Sequence, residues 1–465
     1  MSIPTVIGKK SRSLLGLSYD EYGMPYVIQI NEKGERIYAF NSSFESNFHI
    51  RLSQRLLHEN KLLRNPFILQ LLPQFQKLPS KYKKSTDKNI EKINVKRLII
   101  GAGTSAIASI AQGSLAIGFD ILGDIIYDDS PSAYVKKVEL VRVLKDEIKQ
   151  NSNRIINGLF IGKFDEGLLF ELSNKFLLVN AEEIVISAGG RTLKPFFKNN
   201  TLPGIVSREF FLKRLKNSYK NSKVVVLGFN DLAVKTALNT QNAIILHPKG
   251  VPLLISKFYK EILNERGIET INALIEDVKR NGDKIIITTN NGDVIEAKLI
   301  VFSVAKQPRI EVTYNLGLDY IYSEEYHIYV PYTDEIGRSG NTYVTGGMRG
   351  IIDEYLSYLS GKASKSERVD EFLKLLKGDQ VSTTFSFSPY YYGNGGIVCE
   401  CEEVYLDDIK YAMSLINDAT IEDIKRLTGL GTGECQGKAC TASLGDLIKS
   451  HKLISYRSPL YPVII

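Results

Sequence analysis

The sequence predicts an α/β protein of two doubly wound units, with a small cysteine-bearing domain towards the C-terminus and a separate region in front. Three observations carry that expectation. In "VKRLIIGAGTSAIASIAQG" a buried strand runs into a glycine turn and a small-residue helix. A second strand, turn and helix begins at "SKVVVLGFNDLAVKTALN". All four cysteines of the 465 residues fall between Cys399 and Cys440.

Size and composition agree with several domains. At roughly 100 to 200 residues per domain the chain holds about three, and 43% apolar residues suffice for their cores. The net charge of +7, from 59 basic and 52 acidic residues, is spread along the chain and forms no basic block of the kind that binds nucleic acid. The N-terminus places lysines before a short, broken apolar stretch, so no signal peptide is expected. Apolar runs such as "KLIVFSVA" are strand length and fall short of the ~20 residues that span a bilayer. The expectation is a cytoplasmic protein, membrane-associated only through partners. Thiols stay reduced there, and a cysteine cluster points to metal binding or catalysis.

Residues 1–94 read as an appended region. "PYVIQINEKGERIYAF" has the pattern of a hairpin turning at Glu32 to Gly34, and "NFHIRLSQRLLHENKLL" has helical periodicity. The lysine-rich stretch Leu78 to Ile93 reads as a linker. Residues 95–220 and 306–375 are expected to form a first, discontinuous dinucleotide-type unit, and 221–305 a second. Within the second, "AIILHP" is the next strand, "DKIIITTNNGDVIEA" a hairpin and "KLIVFSVAKQPRI" the strand that leaves it. A polar segment running to Asp379 precedes a cysteine domain at 385–450, and 451–465 form a tail.

The first turn meets the GxGxxG/A pattern. Gly101 permits the tight turn, Gly103 lets backbone approach a pyrophosphate, and the small Ala106 allows helix and strand to pack closely. Thr104 and Ser105 open the helix, whose free N–H groups and positive dipole end suit phosphates. "FDILGDIIYDD" is read as the second strand, which puts Asp128, with Asp129 as fallback, where a carboxylate should meet a ribose. A plain strand-to-helix turn followed by a solvated acid is the alternative.

The second turn keeps Gly228 but has Asn230 and Ala233 where the second and third glycines would stand. An Asn side chain there obstructs a pyrophosphate, so this unit is expected to keep the fold and lack the ligand. No CxxC lies near it, which excludes a dithiol relay.

Cys399 and Cys401 form a CxC pair, and Cys435 and Cys440 enclose "QGKA". Structural zinc sites favour CxxC knuckles, whereas CxC with a glycine-rich second loop suits a [2Fe–2S] cluster held by four cysteines. The glycines of "GLGTGECQG" let backbone wrap closely and aim N–H groups at sulfur. "YLDDIKYAMSLI" and "TIEDIKRLTGL" have apolar residues at helical spacing and end in glycine, giving a helical cradle. Zinc, or reduced and unliganded thiols, are the alternatives. The five histidines, His49, His58, His247, His327 and His451, are scattered and suggest no catalytic group.

Taken in order, "GAGTSA", "VISAGGRTLKPFFKNNTLPGIVS", "GFND", "YVTGGMRGI" and "VCECEEVYLDDI…RLTGLGTGECQGKAC" resemble the α-type subunits of heteromeric amino-acid and amine oxidoreductases. These include heterotetrameric sarcosine oxidase, opine oxidase, hydrogen cyanide synthase and dye-linked L-proline dehydrogenase. The resemblance covers about residues 95 to 450, and the cysteine region is similar to the BFD-like [2Fe–2S] domain. It implies a two-dinucleotide-domain flavoprotein binding FAD. Ser187 to Arg191, with Ala188, Gly189 and Arg191 as contacts, resemble the segment that crosses under the flavin nucleotide. Gly346 and Gly347 resemble the later Gly-Asp turn, with Gly347 replacing the usual Asp. Residues 24 to 60 are faintly similar to a ferredoxin-like region, without cysteines. The resemblance also implies a partner, a β-type flavoprotein subunit that oxidises the amine or amino acid, an FMN shared with it, and relay of electrons through the cluster. Two other readings stand beside this one: a stand-alone NAD(P)H-dependent ferredoxin-type reductase, and a scaffold subunit holding a non-redox adenine nucleotide.

Overall fold

The computed structural model describes residues 89–378, 388–433, 435–448 and 451–461, and ahead of them the strands Ser18–Tyr19, Pro25–Ile30 and Arg36–Ala39. The last two pair antiparallel, Ile30 opposite Arg36, as the expected hairpin requires. The helical stretch expected at 47–63 lies outside the described residues.

The first unit is built on the strand Ile90–Ile100, which begins inside the stretch read as a linker. It pairs in parallel with Phe176–Ile186, from Ile90 opposite Phe176 to Ile100 opposite Ile186. Only the last four residues of the first strand are buried, because helices pack on Ile99 at one face of that end and the strands Leu159–Phe164 and Gly167–Glu171 on Leu98 and Ile100 at the other. Ser114–Ile117 and Ile155–Ile156 extend the sheet in parallel on one side. On the other side, Phe176–Ile186 shares its free edge between the antiparallel strand Gly167–Glu171 and the parallel strand Thr342–Val344.

The second strand of this unit therefore differs from the expectation. It is "SLAI", and the stretch 119–129 is a loop with a short 3-10 turn at Gly123–Ile126. Positive φ at Asp120 (56°), Leu122 (77°) and Gly123 (65°) breaks any strand there.

The second unit is a five-stranded parallel sheet in the order Ile205–Ser207, Leu299–Phe302, Lys223–Leu227, Asn242–His247, Glu269–Asn272. Ile205–Ser207, expected in the first unit, is an edge strand of this sheet. The strands Ile275–Asn281, Lys284–Thr289 and Val294–Ala297 form an antiparallel sheet beside it. The chain passes between the units twice, and the two passages pair antiparallel as Gly190–Thr192 with Lys306–Pro308.

The cysteine domain opens with a two-stranded ribbon, Ile397–Cys399 with Val404–Tyr405, followed by the helices Leu406–Leu415 and Ile421–Thr428. The second helix starts with a Thr420–Asp423 capping box and ends on Gly429 at φ 80°. The first does not end on a glycine; it gives way to extended backbone at Ile416. Among the described residues, no helix is long and apolar enough to cross a membrane.

Candidate functional site

The parallel strands of the first sheet end at one cavity, as the crevice rule for open α/β sheets predicts. Its floor is the turn Gly101 to Ser105, the strand end at Gly118 and the crossing segment Ser187 to Gly190. Backbone bonds fix these loops to one another. Gly101 N–H donates to Ile117 O at 2.8 Å, Ser187 N–H to Ile100 O at 2.8 Å and Leu122 N–H to Ala102 O at 2.9 Å. Gly101 has φ 129°, and a Cβ there would overlap the Ser187 carbonyl, so only glycine permits the approach.

At Gly103 and Gly189 a Cβ would meet nothing within 4 Å: the cradle has room above its backbone, where a ligand's phosphates and sugar can lie. The helix Thr104–Ala108 carries no side-chain cap and no acid in its first turn, leaving its N–H groups turned to that room. This fits the dinucleotide expected from the sequence.

The structure sorts the other expected contacts. Thr104, Ser105, Ala188 and Gly347 line the cavity. Ala106 is fully buried in the core between its helix, the sheet and the helix Glu354–Ala363. Gly346, at φ 59°, lies against Ser105, where a Cβ would overlap the hydroxyl.

Asp128 and Asp129 do not line the cavity. Asp128 is 2% exposed, bound by Arg208 Nη2 at 2.5 Å and Asn239 Nδ2 at 2.8 Å, while Asp129 pairs with Lys216 at 2.8 Å. The residue that stands past the true second strand is Asp120, which lines the cavity and is paired with Lys213. The signal for it was present, an acid three residues beyond "SLAI", but the isoleucines and leucine of 121–126 concealed the strand end.

Much of the cavity's charge comes from the second unit. Arg208 and Lys213 reach into it, and Asp124 on its wall binds Lys306 at 2.5 Å and Arg208 at 3.1 Å. Burial alone would raise the Asp124 carboxyl; Lys306 and Arg208 outweigh it and hold the group well below the carboxylate range. Lys235, 1% exposed on the helix Asp231–Ala237, binds Glu354 at 2.7 Å and stands 4.0 Å from Asp128. Burial would lower its ammonium, but Glu354 and Asp128 raise it. These buried pairs join the two units.

The second unit's own helix end is closed. Asn230 Oδ1 accepts from Leu232 N–H at 3.1 Å and its Nδ2 donates to Val304 O at 3.1 Å, while Asp231 accepts from Ser256 N–H at 2.8 Å. The side chain occupies the donors a pyrophosphate would use, and the acid beside it repels one.

The four thiols converge. Side-chain contacts run from Cys399 to Cys401 and Cys440, and from Cys435 to Cys401 and Cys440, closing a ring of four sulfurs. Backbone N–H groups of Gly431, Cys435 and Ala439 point at Cys399, Cys401 and Cys435 respectively. At Gly433 a Cβ would overlap that of Cys401, so the second loop closes on the first only as glycine. An all-thiol set with inward N–H donors suits an iron–sulfur cluster.

The crossing segment seats this domain. Lys194 pairs with Glu400, between the first two cysteines. Asn200 bonds both polar groups of the Ile397 backbone, at 3.0 and 2.9 Å. Arg191, expected as a cofactor contact, is instead 4% exposed, paired with Glu311, and donates to Lys438 O at 2.8 Å between the second two cysteines. Sequence reasoning missed this role because its partners lie 120 and 247 residues away. Of the described histidines, His247 binds Val251 O at 2.9 Å, while His327 pairs with Asp446 at 2.7 Å and His451 stacks on Tyr322, whose hydroxyl donates to the same Asp446.

Comparison with known proteins bears on both centres. Residues 397–450 match the family model of the BFD-like [2Fe-2S] binding domain. The chain is 22% identical over 293 residues to the A subunit of opine oxidase from Rhizobium meliloti, covering 52% of this chain and 54% of that one. It is 36% identical over 53 residues to the A subunit of anaerobic glycerol-3-phosphate dehydrogenase from Escherichia coli K12, covering 11% and 10%. The chain thus spans about half the length of the first relative and a tenth of the second. Among solved structures, L-proline dehydrogenase from P. horikoshii has this fold, with a TM-score of 0.63 and 21% identity over 83% of this chain and 81% of that one. The family model is an iron–sulfur one, which sets the zinc alternative aside. Together these likenesses agree with the expected resemblance in the fold of the α/β body and in the [2Fe–2S] binding domain at residues 397–450.

Proposed function

We propose that this chain is the electron-transfer subunit of a heteromeric amino-acid or amine dehydrogenase or oxidase, with the secondary amine or amino acid oxidised on a β-type flavoprotein partner. The observation that carries the reading is the seating of the cysteine domain. A four-thiol centre is held by Arg191 and Lys194, immediately beyond Gly189 and Gly190, which line the dinucleotide cavity.

FAD, when bound, accepts electrons in pairs and can release them singly to an iron–sulfur centre. The chain's own residues hold and orient it. The Gly101–Ser105 turn offers N–H groups to the pyrophosphate, Asp120 stands for the ribose, and Gly189 and Gly347 keep backbone close without a side chain between. The resemblance also brings an FMN shared at the contact between the two subunits, to which no residue of this chain is assigned. A cytoplasmic site of action belongs to the same reading.

The closed helix end at Asn230 weighs against a stand-alone NAD(P)H reductase. The missing acid at Gly347 favours, as a second reading, a scaffold subunit holding an adenine nucleotide. Anaerobic titration with NADH, together with mass analysis of released nucleotide, separates these. The expected result is released FAD that NADH does not bleach. Rapid bleaching would overturn the proposal in favour of the reductase, and release of adenine nucleotide alone would favour the scaffold. Isolation from the native host should bring a second flavoprotein chain with it.

A further inference from the structure

Between the cavity and the cysteine loop lies a buried cluster that neither site explains by itself. Tyr461 forms part of the cavity wall. Its hydroxyl accepts from Arg309 Nη1 at 3.3 Å and lies 3.4 Å from Glu311 Oε1, to which it donates. Arg309 also lines the cavity, and its N–H donates to Gly189 O at 3.1 Å.

The ring of Tyr461 meets the cysteine domain as well. Lys438 Nζ stands 5.3 Å from its centroid, within reach of a cation–π contact, and donates to Cys435 O at 2.8 Å. Lys438 is 7% exposed and sits in the loop between Cys435 and Cys440. Glu311, fully buried, holds Arg191, which binds the Lys438 carbonyl. One side chain thus touches the cavity, and the residue it carries belongs to the loop that presents two sulfurs.

The tail that delivers Tyr461 is anchored at both ends. Ile454 packs on Gly437, and Tyr456 OH lies 3.2 Å from Thr441 Oγ1 in the cysteine domain. Ser458 Oγ donates to Lys163 O at 2.7 Å and Leu460 N–H to Ile161 O at 2.6 Å in the first unit. Residues 454–461 therefore run from the cysteine loop to the cavity, and pack on their own chain.

We propose that Tyr461 is a positioning residue that couples the two centres: it seats against the occupant of the dinucleotide cavity on one side and fixes Lys438, and with it the Cys435–Cys440 loop, on the other. Occupancy of the cavity is then sensed at the cluster. This rests on the reading of the two cofactors above, and goes beyond it by assigning the contact through which they act on one another.

The test uses the full chain. The midpoint potential and electron paramagnetic resonance signature of the cluster are recorded with FAD bound and after FAD is stripped. In the wild type the midpoint should shift on removal of FAD. Tyr461→Leu should lose that shift while keeping four-thiol iron absorption. Lys438→Met should lose it too, and it carries the test if Tyr461→Leu does not fold. Tyr411→Leu, at an exposed tyrosine of the cysteine domain outside this tail, should retain it. Absence of the shift in the wild type, or its persistence in Tyr461→Leu, would overturn the coupling. Nucleotide release is measured first. A chain that releases a nucleotide other than FAD sinks the flavin reading alone, because the same comparison made with that nucleotide still tests Tyr461.

Discussion

At the first turn the chain runs Gly101-Ala102-Gly103 into the helix Thr104–Ala108; at the second it runs Gly228-Phe229-Asn230 into Asp231–Ala237. Both follow a buried parallel strand, and both glycines that open them are locked by a neighbouring strand's carbonyl, Ser187 in one case and Ser303 in the other. The difference lies two residues on. Gly103 leaves open room and an uncapped helix, whereas Asn230 turns its amide onto the helix end and onto Val304. The scaffold for a nucleotide is thus cheap to keep, and a single side chain decides whether the helix end serves a ligand or the protein. The second unit serves the first, contributing Arg208, Lys213 and Lys235 to its cavity and its flank.

That division of roles can be broken in three places. The largest effect is expected at Lys235. Lys235→Met leaves Glu354 and Asp128 short of a buried cation, a loss of about 3–5 kcal/mol for a broken buried pair. It should appear as a lowered urea midpoint for the holoprotein. An unchanged midpoint would mean that the seam between the units does not depend on this charge.

Next is Gly103→Asn, which gives the first turn the second turn's residue. Gly103 has φ −74°, ψ −173°, backbone that any residue adopts, and its Cβ would enter open space, so the fold should survive. Dinucleotide affinity should fall about 100-fold, equivalent to about 2.7 kcal/mol. Full retention of nucleotide in the purified variant would refute the comparison.

The smallest effect is that of Asn230→Ala, which removes the cap at the cost of about 1 kcal/mol. A modest drop in melting temperature with unchanged nucleotide content is expected, and a gain of NADH binding would show that Asn230 alone had closed the second site.

The sequence displayed the parts of this molecule whose cause is local. The glycine turns, the alternating hairpin at Lys284–Ala297, the capping box at Thr420 and the spacing of the four cysteines each depend on residues within a few positions of one another. The second strand was misplaced because the helix Thr104–Ala108 has only five residues, so "SLAI" comes sooner than a full-length helix allows. The stretch 121–126, apolar but for Gly123 and Asp124, then imitates a strand until the positive φ at Asp120, Leu122 and Gly123 is known.

Asp128 and Arg191 were misassigned for a different reason. Each is a charge whose partner arrives from 80 or more residues away, and charge type reveals that a partner is needed without naming it. Ile205–Ser207 could be placed in the second sheet only through its pairing with Leu299–Phe302.

The seating of the cysteine domain bears on how the protein is made. Glu400 stands between Cys399 and Cys401 and is held by Lys194; Lys438 stands between Cys435 and Cys440 and is held by Arg191. Each pair of ligands is staked to the crossing segment at a point between its two members. The segment is itself held by the pairing of Gly190–Thr192 with Lys306–Pro308, a contact more than a hundred residues apart in the chain. Cluster insertion would then be a late event in the protein's biogenesis, following the folding of the α/β body, and the maturation machinery would meet a quartet of sulfurs already set by that body.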